Sequence, residues 1–310
     1  MNKSDRIFVA GHRGLVGSAI VRKLRAEGYE RLVLSEHGKL DLRRQDAVEG
    51  FFAEERPDFV IMAAARVGGI LANNSYRGDF IRDNLLIQTN VIDAAYRHGT
   101  KKLLFLGSSC IYPKYAPQPI KEEYLLSGPL EPTNQPYAIA KIAGIEMVSA
   151  YRDQYGFRGI SVMPTNLYGP NDNFDPQTSH ALAALIRRFC EAERANAPEV
   201  VVWGTGATRR EFLHVDDLAE ACVFLMREYD QREPLNIGVG EDISIRELAE
   251  LVGDIAGYRG ALRFDLSKPE GTPRKLLDVT RIHALGWRAR IPLRAGVAET
   301  YRWYAEHTPR

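Results

Sequence analysis

The chain has 310 residues, a formal net charge of +1, 45% hydrophobic and 26% charged residues, and three cysteines. That length can bury a large core in one big domain or in a large and a small one, and the near-neutral charge leaves no basic footprint for nucleic acid or a membrane surface. No apolar stretch approaches the ~18 residues of a membrane span, the amino end shows no apolar signal region, and the cysteines are too few for a disulfide framework, so a cytoplasmic setting is expected.

Residues 6–10, RIFVA, read as a buried parallel strand. Gly11-His12-Arg13-Gly14-Leu15-Val16-Gly17 follows at once and opens a helical pattern over 15–27. Strand, glycine turn and helix is the context that makes a dinucleotide motif credible. Gly11 serves the tight turn, Gly14 lets the backbone approach a pyrophosphate, and Gly17 lets the helix pack on the sheet. The helix amino terminus then points free N–H groups at the anion.

Strands are predicted near 31–34, 58–64 and 102–107, with helices near 45–54, 79–98 and 137–155. The alternation argues for βαβ units and a parallel sheet covered on both faces. ISVM forms a further strand ending at PTNLYGP (164–170), and a helix near 180–195 precedes VVVWG. A helix near 215–229, the strand LNIGVG and helices near 244–256 and 294–306 complete the chain. The expected fold class is α/β: a Rossmann-type doubly wound parallel sheet with a smaller α/β substrate-binding domain. Residues 1–170 are assigned to the first, with about 212–240 returning to it, and 171–310 mainly to the second. Gly11, Ser108 and Asn166 all fall at carboxyl ends of strands, where open parallel sheets bind ligands.

Tyr137 and Lys141 stand at i, i+4 in PYAIAK and face the same way on a helix. A phenol is a poor acid or base at neutral pH unless a cation stabilises its anion, and Lys141 is placed to supply one. The Ser108 hydroxyl could hold a substrate carbonyl while the tyrosine moves its proton. An ordinary amphipathic helix carries the same spacing; the glycine turn upstream gives it weight. Cys190 and Cys222 lie inside helical patterns and read as core. Asn73-Asn74-Ser75 matches a glycosylation acceptor, silent in the expected compartment.

The G-x-x-G-x-x-G spacing with Y-x-x-x-K resembles the short-chain dehydrogenase/reductase superfamily, and the length its extended branch, which acts largely on nucleotide sugars. Seven stretches are more specific: AGHRGLVGSAI, AAARVGGI, LFLGSSCIYP, EPTNQPYAIAKIAG, MPTNLYGPNDNF, REFLHVDD and GTPRKLLDV. Over essentially the whole chain they resemble the GDP-4-keto-6-deoxy-D-mannose 3,5-epimerase-4-reductases, with SSCIYP and a histidine after PTNLYGP the most telling pair.

That resemblance implies two chemistries in one site: epimerisation at C3 and C5 beside the C4 ketone, then NADPH-dependent reduction of the ketone to give GDP-L-fucose. It implies Cys110 as base, His180 as acid, and Tyr137 as proton donor to O4 with Lys141 and Ser108 in support. A thiolate is a competent base, and an unperturbed imidazole titrates near 6.5. It places the cofactor against Gly11 to Gly17, His37, Lys39, Leu106, Gly107, Ser108, Ser109, Tyr137, Lys141, Pro164, Thr165, Asn166, Leu167 and His180. Arg188, Trp203, Arg210, Glu270 and Lys275 are expected to hold the GDP-sugar, and no metal is called for. Where the family commonly has an arginine for the 2'-phosphate this chain has His37, and Glu36 beside it favours the free ribose hydroxyl of NAD. Arg13 is a second phosphate partner, so NADP is expected, with NAD as the alternative. The family also implies a homodimer through helices 79–98 and 137–155. The competing readings are a nucleotide-sugar 4-epimerase or 4,6-dehydratase, which return the hydride, and a non-enzymatic dinucleotide sensor.

Overall fold

Six short apolar strands form one parallel sheet at the centre of the molecule, in the order β10-β5-β4-β3-β1-β2. They are β1 (Ile7–Ala10), β2 (Leu32–Val33), β3 (Phe59–Met62), β4 (Lys102–Leu106), β5 (Gly159–Pro164) and β10 (Leu235–Ile237). All residues of β1, β3, β4 and β5 are buried, as a sheet covered on both faces requires. The covering helices are α1 (Leu15–Ala26), α2 (Gln45–Glu55), α4 (Arg77–Arg97), α5 (Gln135–Tyr155) and α7 (Val215–Glu228). A short α3 (Ile70–Ser75) precedes α4. The computed structural model describes residues 1–268 and 271–308.

Strand order reverses between β1 and β3, which opens a crevice beyond their carboxyl ends. The crevice is the reason for two glycines. Gly11 has φ +80°, and a Cβ on it would lie 2.8 Å from the Ala64 backbone. A Cβ on Gly17 would stand 2.1 Å from the Gly11 carbonyl oxygen.

A second hydrophobic core lies beside the sheet. It is built from α6 (Ala181–Arg194), α8 (Ile245–Ala256) and α10 (Leu293–His307), with Leu185, Ile186, Phe189, Leu248, Val252 and Val297 fully or nearly buried. Short ladders hold it: β7 (Glu199–Trp203) with β12 (Ala261–Asp265), and β8 (Arg209–Arg210) between β11 (Ile243–Ser244) and β13 (Arg274–Lys275). The pair β6 (Asn166–Tyr168) and β9 (Phe212–His214) leads from the large sheet to this core. A short α9 (Thr280–Ala284) returns to the first core through Ile282.

Buried polar groups tie these pieces together. Glu211 is 0% exposed and accepts from the backbone N–H groups of Val239, Gly240 and Leu277. Asn236 is also fully buried; its amide donates to the Ile120 and Asp278 carbonyls, and its oxygen accepts from the Tyr112 hydroxyl at 2.6 Å. Asp242 joins Arg209 and Arg274 and so pins β8 to β13. Satisfied networks of this kind fix one arrangement of the segments that carry them.

The large-sheet elements agree closely with the sequence expectation. β2 is shorter than 31–34, and α4 begins at Arg77 behind an unforeseen α3. The two- to five-residue strands β6, β8, β9, β11, β12 and β13 were not expected. Lys102 is an exception inside a buried strand, and its ammonium donates to the Leu225, Met226 and Tyr229 carbonyls at the end of α7. Those carbonyls lie at the last turn of the helix and carry the negative end of its dipole. Cys190 and Cys222 are buried as expected. Asn73 is buried too, its side chain donating to the Gly68 and Gly69 carbonyls. No helix of the described residues is long and apolar enough to cross a membrane.

Candidate active site

A single cavity of about 980 Å³ runs from the glycine turn to β8. At one end Gly11, Gly14, Leu15, Val16 and Gly17 form its floor. No side chain caps α1, so its first N–H groups point into the cavity. A Cβ on Gly14 would meet nothing closer than 3.6 Å. The protein itself does not demand glycine there, which leaves an approaching ligand as the reason. His37 lines the cavity beyond β2, while His12, Arg13 and Lys39 stay outside its wall. Arg13 reaches across the rim to Glu36, Nη1 to Oε1 3.0 Å.

Half-way along, Leu106, Gly107 and Ser108 end β4 and face Tyr137 and Lys141 from the first turns of α5. α5 is held to its neighbour by the Gln88 side chain of α4, which donates to the Ala140 carbonyl at 2.6 Å. Lys141 is 4% exposed, and its ammonium donates to the Leu106 carbonyl at 2.8 Å. It lies 5.9 Å from the centre of the Tyr137 ring. Burial drives the Lys141 pKa down to about 7. Burial also pushes the Tyr137 phenol up, with the Cys110 sulfur adding to it and a hydrogen bond to Ser108 opposing. The phenol is therefore held in its protonated form.

Ser108 caps a single helical turn at 109–111 by accepting from the Cys110 N–H at 3.2 Å. That turn aims Cys110 into the cavity, where Lys275 of β13 donates to its sulfur at 3.6 Å. His180, at the amino end of α6, enters from the opposite wall. The segment before it is clamped by the Gly69 N–H, which donates to the Thr178 carbonyl at 2.8 Å. His180 is open to the cavity yet deep within it. Desolvation by the walls, then the Lys275 charge, lower its pKa to about 4. The sequence expectation of an imidazole titrating near 6.5 is corrected here: the cavity walls and Lys275 favour the neutral ring in the ligand-free chain.

The far end holds Arg188, Trp203 and Arg210. The Arg188 guanidinium lies 5.0 Å from the Trp203 ring centre and donates to the Val201 carbonyl. Lys268 adds a second cation 5.7 Å from the same ring. Pro164, Thr165, Asn166 and Leu167 line the wall between the two ends, and Asn166 is fixed by donating to the Glu211 carbonyl at 2.7 Å. Glu270 lies outside the described residues.

The family model for the NAD dependent epimerase/dehydratase family matches residues 7–238. GDP-L-fucose synthase 1 of Arabidopsis thaliana is 62% identical over 99% of this chain and 95% of its own length. GDP-L-fucose synthase of Escherichia coli is 55% identical over 99% and 98%. The chain belongs to the NAD dependent epimerase/dehydratase family, among its GDP-L-fucose synthases. A solved gdp-l-fucose synthetase from Naegleria fowleri, bound to NADP, superposes with a TM-score of 0.91 at 30% identity, covering 99% of this chain and 95% of that one.

In this GDP-L-fucose synthase relative, then, one cavity brings together all the described residues expected from sequence except His12, Arg13 and Lys39. Several cavity residues went unforeseen. Asp41 is held well down, to about 2, mainly by its hydrogen bonds from Arg43. Asp172 is pushed up to about 7 by the protein around it. Arg66 enters on the AAARVGG loop, its backbone N–H donating to the Asn84 side chain. The AAARVGGI stretch is among those that carry the family resemblance, but nothing in it singles out Arg66.

Proposed function

We propose that this chain converts GDP-4-keto-6-deoxy-D-mannose to GDP-L-fucose by 3,5-epimerisation followed by NADPH-dependent reduction at C4. The observation that carries the reading is Cys110 with Lys275 at its sulfur, in the same cavity as Ser108, Tyr137, Lys141 and His180. A simple ketone reductase has no use for the extra thiol and imidazole.

The glycine turn and the amino end of α1 fit the pyrophosphate of the dinucleotide, which supplies a hydride to C4 when bound. Arg188 and Arg210 grip the diphosphate of the sugar nucleotide by paired N–H donors, and Trp203 offers its face to the base. The Cys110 thiolate takes the proton from the carbon beside the ketone. The electron pair moves into the C4 carbonyl, and the Ser108 and Tyr137 hydroxyls hold the resulting enolate oxygen. His180 returns a proton from the opposite wall. Being neutral in the free chain, it takes that proton up from solvent before it delivers it. In the reduction Tyr137 gives its phenolic proton to O4, and Lys141 stands behind it to restore that proton. Leu86 on α4 and Ile139 on α5 are exposed apolar residues that suit a second copy of the chain, consistent with a homodimer.

The test is incubation with GDP-4-keto-6-deoxy-D-mannose and NADPH. Stoichiometric oxidation of NADPH with an L-configured 6-deoxy product by NMR supports the reading. A product epimerised at C4 alone, or hydride returned without net NADPH loss, would move the 4-epimerase reading ahead.

A further inference from the structure

Ser35-Glu36-His37 follow strand β2, and the charges they bring to the adenosine end of the cavity are divided. Ser35 and His37 line the cavity. Glu36 stands on the rim, where it pairs with Arg13 at 3.0 Å. Arg13 comes from the glycine turn itself, so the pair joins that turn to the segment that follows β2. His37 is close enough to Asp41 for its charge to favour the Asp41 carboxylate. The rim therefore presents Arg13, His37 and Lys39 with two carboxylates among them: Asp41 is taken up by Arg43, and Glu36 occupies Arg13, the best phosphate donor.

We propose that Glu36 is a specificity-determining residue that makes this site accept NADH as well as NADPH. The two cofactors differ only at the adenosine ribose, by a hydroxyl or a phosphate. A carboxylate beside the ribose accepts a hydrogen bond from a free 2'-hydroxyl and repels a 2'-phosphate. Here it also holds Arg13, so a phosphate must share or displace an existing ion pair before it gains a bidentate arginine. With NADPH, Arg13 turns to the phosphate with His37 and Lys39 behind it. With NADH, the Arg13–Glu36 pair stays closed and Glu36 takes the hydroxyl. Both residues are more than half exposed, so the contest is modest and salt-sensitive, and neither cofactor is shut out.

The inference rests on the reading that the cavity takes a nicotinamide dinucleotide, and the experiment separates the two. The full chain is titrated with NADPH and with NADH, following tryptophan quenching and dihydronicotinamide emission without sugar substrate; kcat/KM is then measured with each. The wild type is expected to prefer NADPH by only about tenfold or less. Glu36→Gln should widen that preference about three- to tenfold, by tightening NADPH and loosening NADH. Arg13→Ala should narrow or reverse it, and added salt should erode the affinity for NADPH more than for NADH. A preference that Glu36→Gln leaves unchanged, or equal shifts for both cofactors, would overturn the role of Glu36. Failure of both cofactors to bind the wild type would overturn the dinucleotide reading and this inference with it.

Discussion

The Lys275 ammonium lies 3.6 Å from the Cys110 sulfur, although 165 residues separate them. One comes from the turn that ends a strand of the large sheet, the other from a two-residue strand of the small one. The buried carboxylates Glu211 and Asp242 hold the second strand in place, through the Leu277 N–H and the Arg274 guanidinium. A cation in that position steadies the negative charge a sulfur carries when it takes a proton from carbon.

Lys275→Met keeps most of the length of the side chain and removes its charge. Exchange of the substrate's C3 and C5 protons with D₂O should fall about 10- to 10³-fold, while cofactor binding at the other end of the cavity stays within about twofold. Unchanged exchange would show that the contact is incidental.

Tyr137→Phe removes the hydroxyl and leaves the buried ring packed edge-on against Phe80. Ketone reduction should drop by about 10²–10⁴, with the affinity for NADPH nearly intact by fluorescence titration. Near-normal reduction would take the proton-donor role away from Tyr137.

Lys141 predicts a pH dependence of stability. Burial lowers its pKa to about 7 from an ordinary value of 10.5. Between those values the unfolded chain binds the proton and the folded chain releases it. Stability therefore rises with pH across that window, and the penalty of burying the charge is felt below it. Lys102, lowered to about 8 by burial, contributes the same sign. Urea unfolding of the ligand-free protein at pH 6.5 and 9.5 should show the gain, and Lys141→Met should remove the part that Lys141 supplies. An identical slope in the variant would contradict it.

Much of this was readable in the residues because it depends on local pattern. A parallel strand buried on both faces is a continuous apolar run, so β1, β3, β4 and β5 announced themselves, and the glycine turn marked the crevice. The small sheet was hidden because its strands have two to five residues and draw their stability from long-range partners: Arg209 and Arg210 look like a charged loop until Asp242 and β13 are in place. The charge states at the site were also out of reach. Nothing near His180 in the sequence signals the walls around it or the approach of Lys275, which together make it neutral. The Arg13–Glu36 pair needed the fold as well, since a turn and a strand end must meet at the rim.

Cys110→Ser and His180→Gln together test whether epimerisation can be separated from reduction. Reduction needs a hydride and the Tyr137 proton; neither route passes through the thiol or the imidazole. A serine hydroxyl is a far weaker acid than a thiol, so almost none of it is ionised to act as base. Glutamine fills the His180 position without a transferable proton at neutral pH. Each loss should slow proton exchange by about 10²–10⁴. Cys110→Ser should stop the first step, so substrate kept in D₂O takes up little deuterium at C3 and C5. His180→Gln leaves the base in place, so enolate can still form, and protonation by Cys110 from the same face should return deuterium with retained configuration. The two variants are thus expected to differ: one blocks exchange, and the other permits some exchange without inversion. Both should bind NADPH and reduce some of the unepimerised ketone, giving a D-configured 6-deoxy sugar nucleotide that NMR distinguishes from GDP-L-fucose. Wild-type exchange and inversion in both variants would remove Cys110 and His180 from the proton chemistry and leave Ser108, Tyr137 and Lys141 as the working set of a simple reductase.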